Sequence, residues 1–293
     1  MNGEQTPFAR IASDFAENRV ALAGLAMLAL ILLAAIFAPA ISPQNPYDLA
    51  QLDVLDSRLP PGAHGTEGKT YWLGTDDQGR DMLSAIFYGL RTSIGVGVAS
   101  TAGGLAIGLV LGLVAAYFGG WIDSLVMRTV DIQLSFPAIL IALVLLALLG
   151  QGLDKIVVAL IAVQWAYYAR TVRASALVER GKEYIEAATG LALSPVRIVF
   201  RHLLPNCLPP LIVVATVQIA AAIALEATLS FLGLGLSITE PSLGLLIANG
   251  FTYLLSGKYW ISFFPGIALL LTIVGINLVG DQLRDVLNPR LQT

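Results

Sequence analysis

Reactive side chains are scarce in this sequence. Of its 293 residues, one is cysteine and two are histidine. Cys207 has no partner for an intrachain disulfide and reads as an inert buried thiol. His64 and His202 lie far apart with no cysteine or paired carboxylates beside them, so no metal site is expected. Charge is also sparse: 13% of residues are charged and the net charge is −3, leaving no basic surface for nucleic acid. The phosphate loop GxxxxGKS/T, the zinc helix HExxH and the nucleophile elbow GxSxG are all missing. Asp76 and Asp77 adjoin each other, but neighbouring carboxylates in a Gly-flanked loop read as capping or solvated groups. The chain reads as a conduit rather than a catalyst.

What is abundant is apolar. Hydrophobic residues make up 56% of the chain and the mean hydropathy is +0.76, values outside the soluble range. We expect an all-α polytopic membrane protein with six spans. They are Val20–Ile41, Ile94–Phe118, Ile132–Leu149, a run from Ile156 that continues past Arg170 and Arg173, Leu208–Leu236, and Trp260–Gly280. A cleaved signal peptide competes for the first run, but that run is too long and no small-residue cleavage site follows it. Basic residues sort the loops. Arg10, Arg19, Arg128, Arg170, Arg173, Arg180, Lys182, Arg197, Arg201, Arg284 and Arg290 fall on one side, which the positive-inside rule assigns to the cytoplasm together with both termini.

Between the first two runs, Ser42–Arg91 is rich in Pro and Gly and reads as an irregular extramembrane loop. Thr75 or Asp76 is a candidate cap for a short helix through Ser84 and Tyr88, a role placed ahead of substrate contact. Gly104, Gly108 and Gly112 form a stripe on one helix face, where close approach of another helix comes first and a pore lining second. Pro137 predicts a kink near the start of the third run, and Trp260 a membrane-interface anchor. Glu226 is the acidic residue deep in an apolar run. A structural hydrogen bond comes first among its roles, ahead of proton coupling or contact with a substrate amine.

The longest polar interruption of the second half is EYIEAATGLALSPVRIVFRHLLP, Glu183–Pro205. Helix formers predict a helix over Glu183–Ala192. Ser194-Pro195 reads as an N-cap with Pro at the first position of a second short helix, stopped by Pro205. The alternative is an ordinary cytoplasmic loop, and the residues alone favour it.

Glu186-Ala187-Ala188 followed by Leu204-Pro205 resembles the EAA loop of ABC-importer permeases, although Ala192 stands where that pattern normally has Gly. GTDDQGRD (Gly74–Asp81), EATLSFLGLG (Glu226–Gly235) and GDQLRDVLNP (Gly280–Pro289) occur in the same order as in the family. Together they make the chain similar to the second, C-type permease of the dipeptide, oligopeptide and nickel group of bacterial ABC importers. The resemblance implies the type I ABC-importer permease fold and a place in the cytoplasmic (inner) membrane. It implies an N-terminal unit over 1–91, a permease core over 92–281 and a cytoplasmic tail over 282–293. It further implies a heterodimer with a homologous permease, two cytoplasmic ATPase subunits and an extracytoplasmic substrate-binding protein. ATP and Mg would sit on the ATPases, and this chain would carry no cofactor. The coupling residues would be Glu183, Glu186, Ala187, Ala188, Gly190, Ala192, Ser194, Pro195, Arg197, Arg201, His202, Leu204 and Pro205. The small Ala pair would allow close approach to the ATPase. Peptides lead as cargo, with nickel, opines, glutathione-like compounds and glycosides as alternatives. An ion-coupled secondary transporter using Glu226 is the rival class.

Overall fold

The computed structural model describes residues 13–237 and 240–287. Arg10, Arg290 and the Asn288-Pro289 end of the tail motif lie outside the described residues. Asn18 starts α1 (Arg19–Ile36), its side chain accepting from the amides of Val20 and Ala21. The helix stops at Phe37, just before Pro39, and a short α2 (Ala38–Ile41) with Pro39 in its first turn follows. The first expected run is therefore two helices. α1 lies on the last helix, where the Asn18 amide donates to Gln282 Oε1 at 2.7 Å.

The segment after α2 is shorter and better ordered than an irregular loop. It contains an antiparallel pair, β1 (Ala63–His64) and β2 (Thr70–Tyr71), around a buried polar centre. The Tyr71 hydroxyl donates to Asp56 at 2.9 Å, Thr75 donates to the Asp56 carbonyl at 2.6 Å, and Asp76 pairs with Arg80 at 2.6 Å. Gly79 turns this segment at φ +78°, where a Cβ would stand 2.1 Å from the Asp53 carbonyl oxygen. Thr75 and Asp76 are thus spent inside the loop. The helix cap is Asp81, which accepts from the Ser84 amide at 2.9 Å. Trp260 is buried rather than interfacial, and its indole donates to the Thr75 carbonyl at 3.2 Å.

Asp81 opens α3 (Met82–Phe118), which begins well before Ile94. At 37 residues it is about 55 Å long, more than the roughly 30 Å of hydrocarbon it has to cross. The polar stretch between the expected runs Ile94–Phe118 and Ile132–Leu149 is the body of α4 (Gly120–Ser135). The break falls at Phe136-Pro137 instead, and α4 meets α5 (Ala138–Leu149) at 92°. The residue before a proline is pushed out of the helical region, and Phe136 is extended (φ −97°, ψ 144°). The polar side chains of α4 meet α6 (Leu153–Arg180). Asp123 takes a two-pronged bond from Arg173 at 2.5 and 2.6 Å, and Asp131 pairs with Arg170 at 2.5 Å.

The glycine stripe of α3 packs on α6 as the spacing predicts. A Cβ at Gly108 would lie 2.5 Å from the Trp165 carbonyl oxygen, and one at Gly112 would lie 2.6 Å from that of Ala169. After α6 come α7 (Glu183–Gly190), α8 (Pro195–Ile198) and a π-type turn over Val199–Leu203. The chain then runs straight into α9 (Leu204–Phe231). Pro205 therefore does not stop a helix: it follows directly on the π-type turn, whose altered bonding accommodates the amide it lacks, and the helical run continues into α9. Pro209 and Pro210 remain inside, as helices in lipid allow when local π adjustments restore the bonding. α9 ends at Phe231, short of Leu236. α10 (Leu243–Phe251) and α11 (Trp260–Leu287) complete the chain.

Among the described residues four helical stretches are long and apolar enough to cross a membrane: α1, α3, α8 through α9, and α11. The bent pair α4–α5 would make a fifth. α6 has 28 residues, but Gln164, Arg170 and Arg173 interrupt its apolar run and it falls outside this set.

Candidate functional site

α7 and α8 sit at the end of the bundle where α3 and α6 finish and α9 starts. Their inner side is apolar. Ile185, Ala188, Ile198 and Leu203 join Leu113, Ala116, Val172 and Ala176 in one buried cluster. That packing holds the loop as a rigid ledge on α3, α6 and α9. A polar tether adds to it: Tyr184 donates to Glu179 at 2.6 Å, Lys182 pairs with the same carboxylate at 2.6 Å, and Asn206 donates to the Tyr184 oxygen at 3.1 Å. Burial, and then the Glu179 carboxylate, push the Tyr184 phenol up to about 12, so it stays a neutral donor.

The turn between the helices explains Ala192. The Leu193 amide reaches back to the Ala188 carbonyl at 3.2 Å and the Ala192 amide to that of Thr189 at 2.9 Å. This is a Schellman motif, whose post-helix residue is left-handed and usually Gly. Ala192 adopts that conformation, φ 53°. The turn is the one a glycine would make, built with a residue that is strained in it.

Most of the sequence-selected residues point outward. Glu183, Glu186, Ala187, Gly190, Ala192, Ser194, Pro195, Arg197, Arg201 and Pro205 are exposed, while His202 and Leu204 are half-buried. Ala188 is the exception: it is buried against this chain's own core, so only Ala187 of the Ala pair can approach a partner. Glu183 and Glu186 lie in the first turn of α7, where the helix dipole favours them. Ser194 holds the N-cap position of α8 but makes no side-chain cap bond. Beside these stand apolar side chains that pattern reading did not select. Leu191 is 75%, Val196 67% and Phe200 56% exposed. The signal for them was present as apolar residues between two polar helix starts, but their facing depends on the ledge.

Glu226 sits elsewhere, near the far end of α9, and none of its surface is exposed. Ser93 on α3 and Ser230 on α9 each donate to it at 2.8 Å. Ser93 also accepts from the Leu243 amide at 3.3 Å. The carboxyl thereby ties three helices together, which is the structural role placed first for it.

Two cavities are assembled from residues far apart in sequence. A groove of about 1250 Å³ runs between α6, α9 and the end of α11, lined by Arg170, Glu179, Gln218, Asp281 and Arg284 among apolar side chains. A smaller cavity of about 470 Å³ lies at the far end, between the loop at Asp77, the end of α9 and α10. The smaller cavity takes Asp77 from GTDDQGRD and Ser230, Phe231 and Gly233 from EATLSFLGLG, and the groove takes Gly280, Asp281, Arg284 and Leu287 from GDQLRDVLNP.

Comparison with known proteins adds the following. Residues 108–293 match the family model described as binding-protein-dependent transport system inner membrane component. Residues 6–61 match the N-terminal TM domain of oligopeptide transport permease C. The dipeptide transport system permease protein DppC of Alkalihalophilus pseudofirmus is 36% identical over 98% of this chain and 91% of its own length. The di/tripeptide permease DppC of Pseudomonas aeruginosa is 36% identical over 98% and 93%. The oligopeptide permease OppC of Bacillus subtilis is 36% identical over 95% and 88%. Among solved structures, an inward-facing MetNI methionine ABC transporter superposes with a TM-score of 0.58 and 24% identity, covering 71% of this chain and 98% of that one. That likeness concerns the fold.

Proposed function

The chain belongs to the family of inner-membrane components of binding-protein-dependent transport systems, and on that premise we propose how this permease subunit works. It is a multi-pass subunit of a bacterial importer. Its cargo is di- or oligopeptides, the class named for the relatives that match it end to end. Six spans complete the topology, with the α4–α5 elbow as the third and α6 as the fourth, and both termini lie in the cytoplasm. The groove between α6, α9 and α11 contributes half of the translocation path, and a related permease supplies the other half.

The observation that carries the coupling role is the ledge of α7 and α8. Its inner side is locked to three long helices, while its outer side presents Glu186, Ala187 and the exposed trio Leu191, Val196 and Phe200. Exposed apolar side chains on a rigid ledge mark a docking surface. A cytoplasmic ATPase subunit is the partner that fits, and rigid attachment to α3, α6 and α9 would carry its motion to the path. ATP and Mg belong to that partner. A substrate-binding protein delivers cargo on the opposite face. The rival reading, ion coupling through Glu226, gains no support from a carboxyl already held by two hydroxyls.

The test is a pull-down of tagged chain in mild detergent, wild type against Glu186→Arg. The wild type should recover a second permease and active ATPases, and the variant should lose or silence the ATPases. A chain that purifies alone and transports in its own liposomes would overturn the proposal.

A further inference from the structure

The 470 Å³ cavity beside α10 holds an unmatched pair of polar atoms. Asp77 and Asn249 both line it, and among the described residues neither Asp77 Oδ1 nor Asn249 Nδ2, both buried at the atomic level, has a hydrogen-bond partner. Buried polar atoms in this condition are costly unless something else satisfies them. The local cations do not. Arg80 is committed to Asp76 at 2.6 Å, and the Arg58 guanidinium lies over the Tyr253 ring, 5.5 Å from its centre. Burial, and then the neighbouring Asp76 carboxylate, raise the Asp77 carboxyl above its ordinary range, with Arg80 and Arg58 opposing without cancelling them. Gln151 donates to the Gly233 carbonyl at 2.9 Å and Ser230 to Glu226 at 2.8 Å, so those lining groups are already used. The cavity thus holds one unpartnered acceptor and one unpartnered amide donor, in a lining that also includes Ser237, Thr252, Phe231 and Tyr253. α9 has 28 residues, which sets this cavity about 40 Å from the α7–α8 ledge, at the face where cargo enters.

We propose that this cavity is an entry site for a primary ammonium group, the N-terminus of a peptide, with Asp77 accepting from the ammonium and Asn249 donating to the first peptide carbonyl. The inference rests on the peptide-import reading for the identity of the ligand, but not for the existence of the ammonium site. The same chemistry could come from a lysine of the binding protein, and the test separates the two sources.

The assembled importer, in proteoliposomes, carries Asn249→Cys or, as a second position on the same cavity wall, Thr252→Cys. Native Cys207 is fully buried and serves as the unreactive background. The thiol is labelled with a cationic aminoethyl or an anionic sulfonatoethyl methanethiosulfonate. A focusing carboxylate should favour the cationic reagent by about tenfold. Asp77→Asn should erase that preference, and trialanine without binding protein should slow the cationic reaction. Equal rates for the two reagents, or no labelling at either position, would overturn the site. Slowing by unloaded binding protein, with none by trialanine, would assign the site to a protein lysine and overturn the cargo role. A preserved reagent preference in vesicles that import no peptide would support the ammonium site while sinking the peptide-import reading, so the two failures are distinguishable.

Discussion

The two ends of α9 are built on opposite terms. At its start, the α7–α8 ledge buries one side and leaves Leu191, Val196 and Phe200 uncovered. Near its finish, Glu226 is wholly enclosed and takes hydroxyl bonds from Ser93 and Ser230. Around Glu226 the far end is closed to solvent and stabilises this chain's own packing. The near end leaves apolar surface in water, which contributes nothing to the isolated chain and fits a protein partner. Burial therefore separates the two roles: a self-satisfied carboxyl indicates architecture, and an unsatisfied apolar ledge indicates docking.

The largest effect should come from breaking the closed end. Glu226→Ala strands two buried hydroxyls and opens a void, and should cost about 3 kcal/mol or more. The check is the thermal midpoint of the detergent-purified chain. Glu226→Gln keeps an acceptor and should cost less than half of that, with transport retained. If Glu226→Gln instead abolishes transport at normal stability, the contrast between the two ends fails. At the open end Glu186→Arg should lower transport at least about tenfold, since reversing a charge in an interface costs several kcal/mol, while leaving the thermal midpoint in place. Phe200→Ser should leave stability within about 0.5 kcal/mol, yet weaken ATPase recovery in pull-downs by about tenfold, as loss of an aromatic anchor does. The smallest effect sharpens the ledge itself. Ala192→Gly removes left-handed strain and should stabilise the chain by about 1 kcal/mol, read as a raised midpoint with transport unchanged.

Ala192 also shows how much of the ledge could be read in advance. The two helix starts, at Glu183 and at Ser194-Pro195, were legible from composition and cap chemistry. The turn between them was not, because Ala carries no signal for a positive φ. Only the reach of the Leu193 amide to Ala188 reveals the Schellman bond that enforces it. The prolines teach the same lesson from the other side. Pro137 was read as a kink and makes a 92° elbow. Pro205 was read as a stop and lies within a continuous helical run through Pro209 and Pro210. A proline removes one donor and disfavours one preceding conformation; whether the helix breaks or adjusts depends on what packs around it. Trp260 fits the same pattern, its indole being drawn inward by the Thr75 carbonyl.

Apolar content and the spacing of its interruptions by themselves determined that this chain is helical and membrane-embedded. The glycine stripe determined which face of α3 another helix could meet. Those properties are local, set by hydrophobic transfer and by helical period. The tertiary structure decided the rest: that α4 is a helix tied to α6 by Asp123 and Asp131, that Ala188 faces inward, and that Asp77 and Asn249 share a cavity. Each of these depends on groups distant in sequence meeting in space, and their burial and bonding are properties of the packed helices rather than of any one segment.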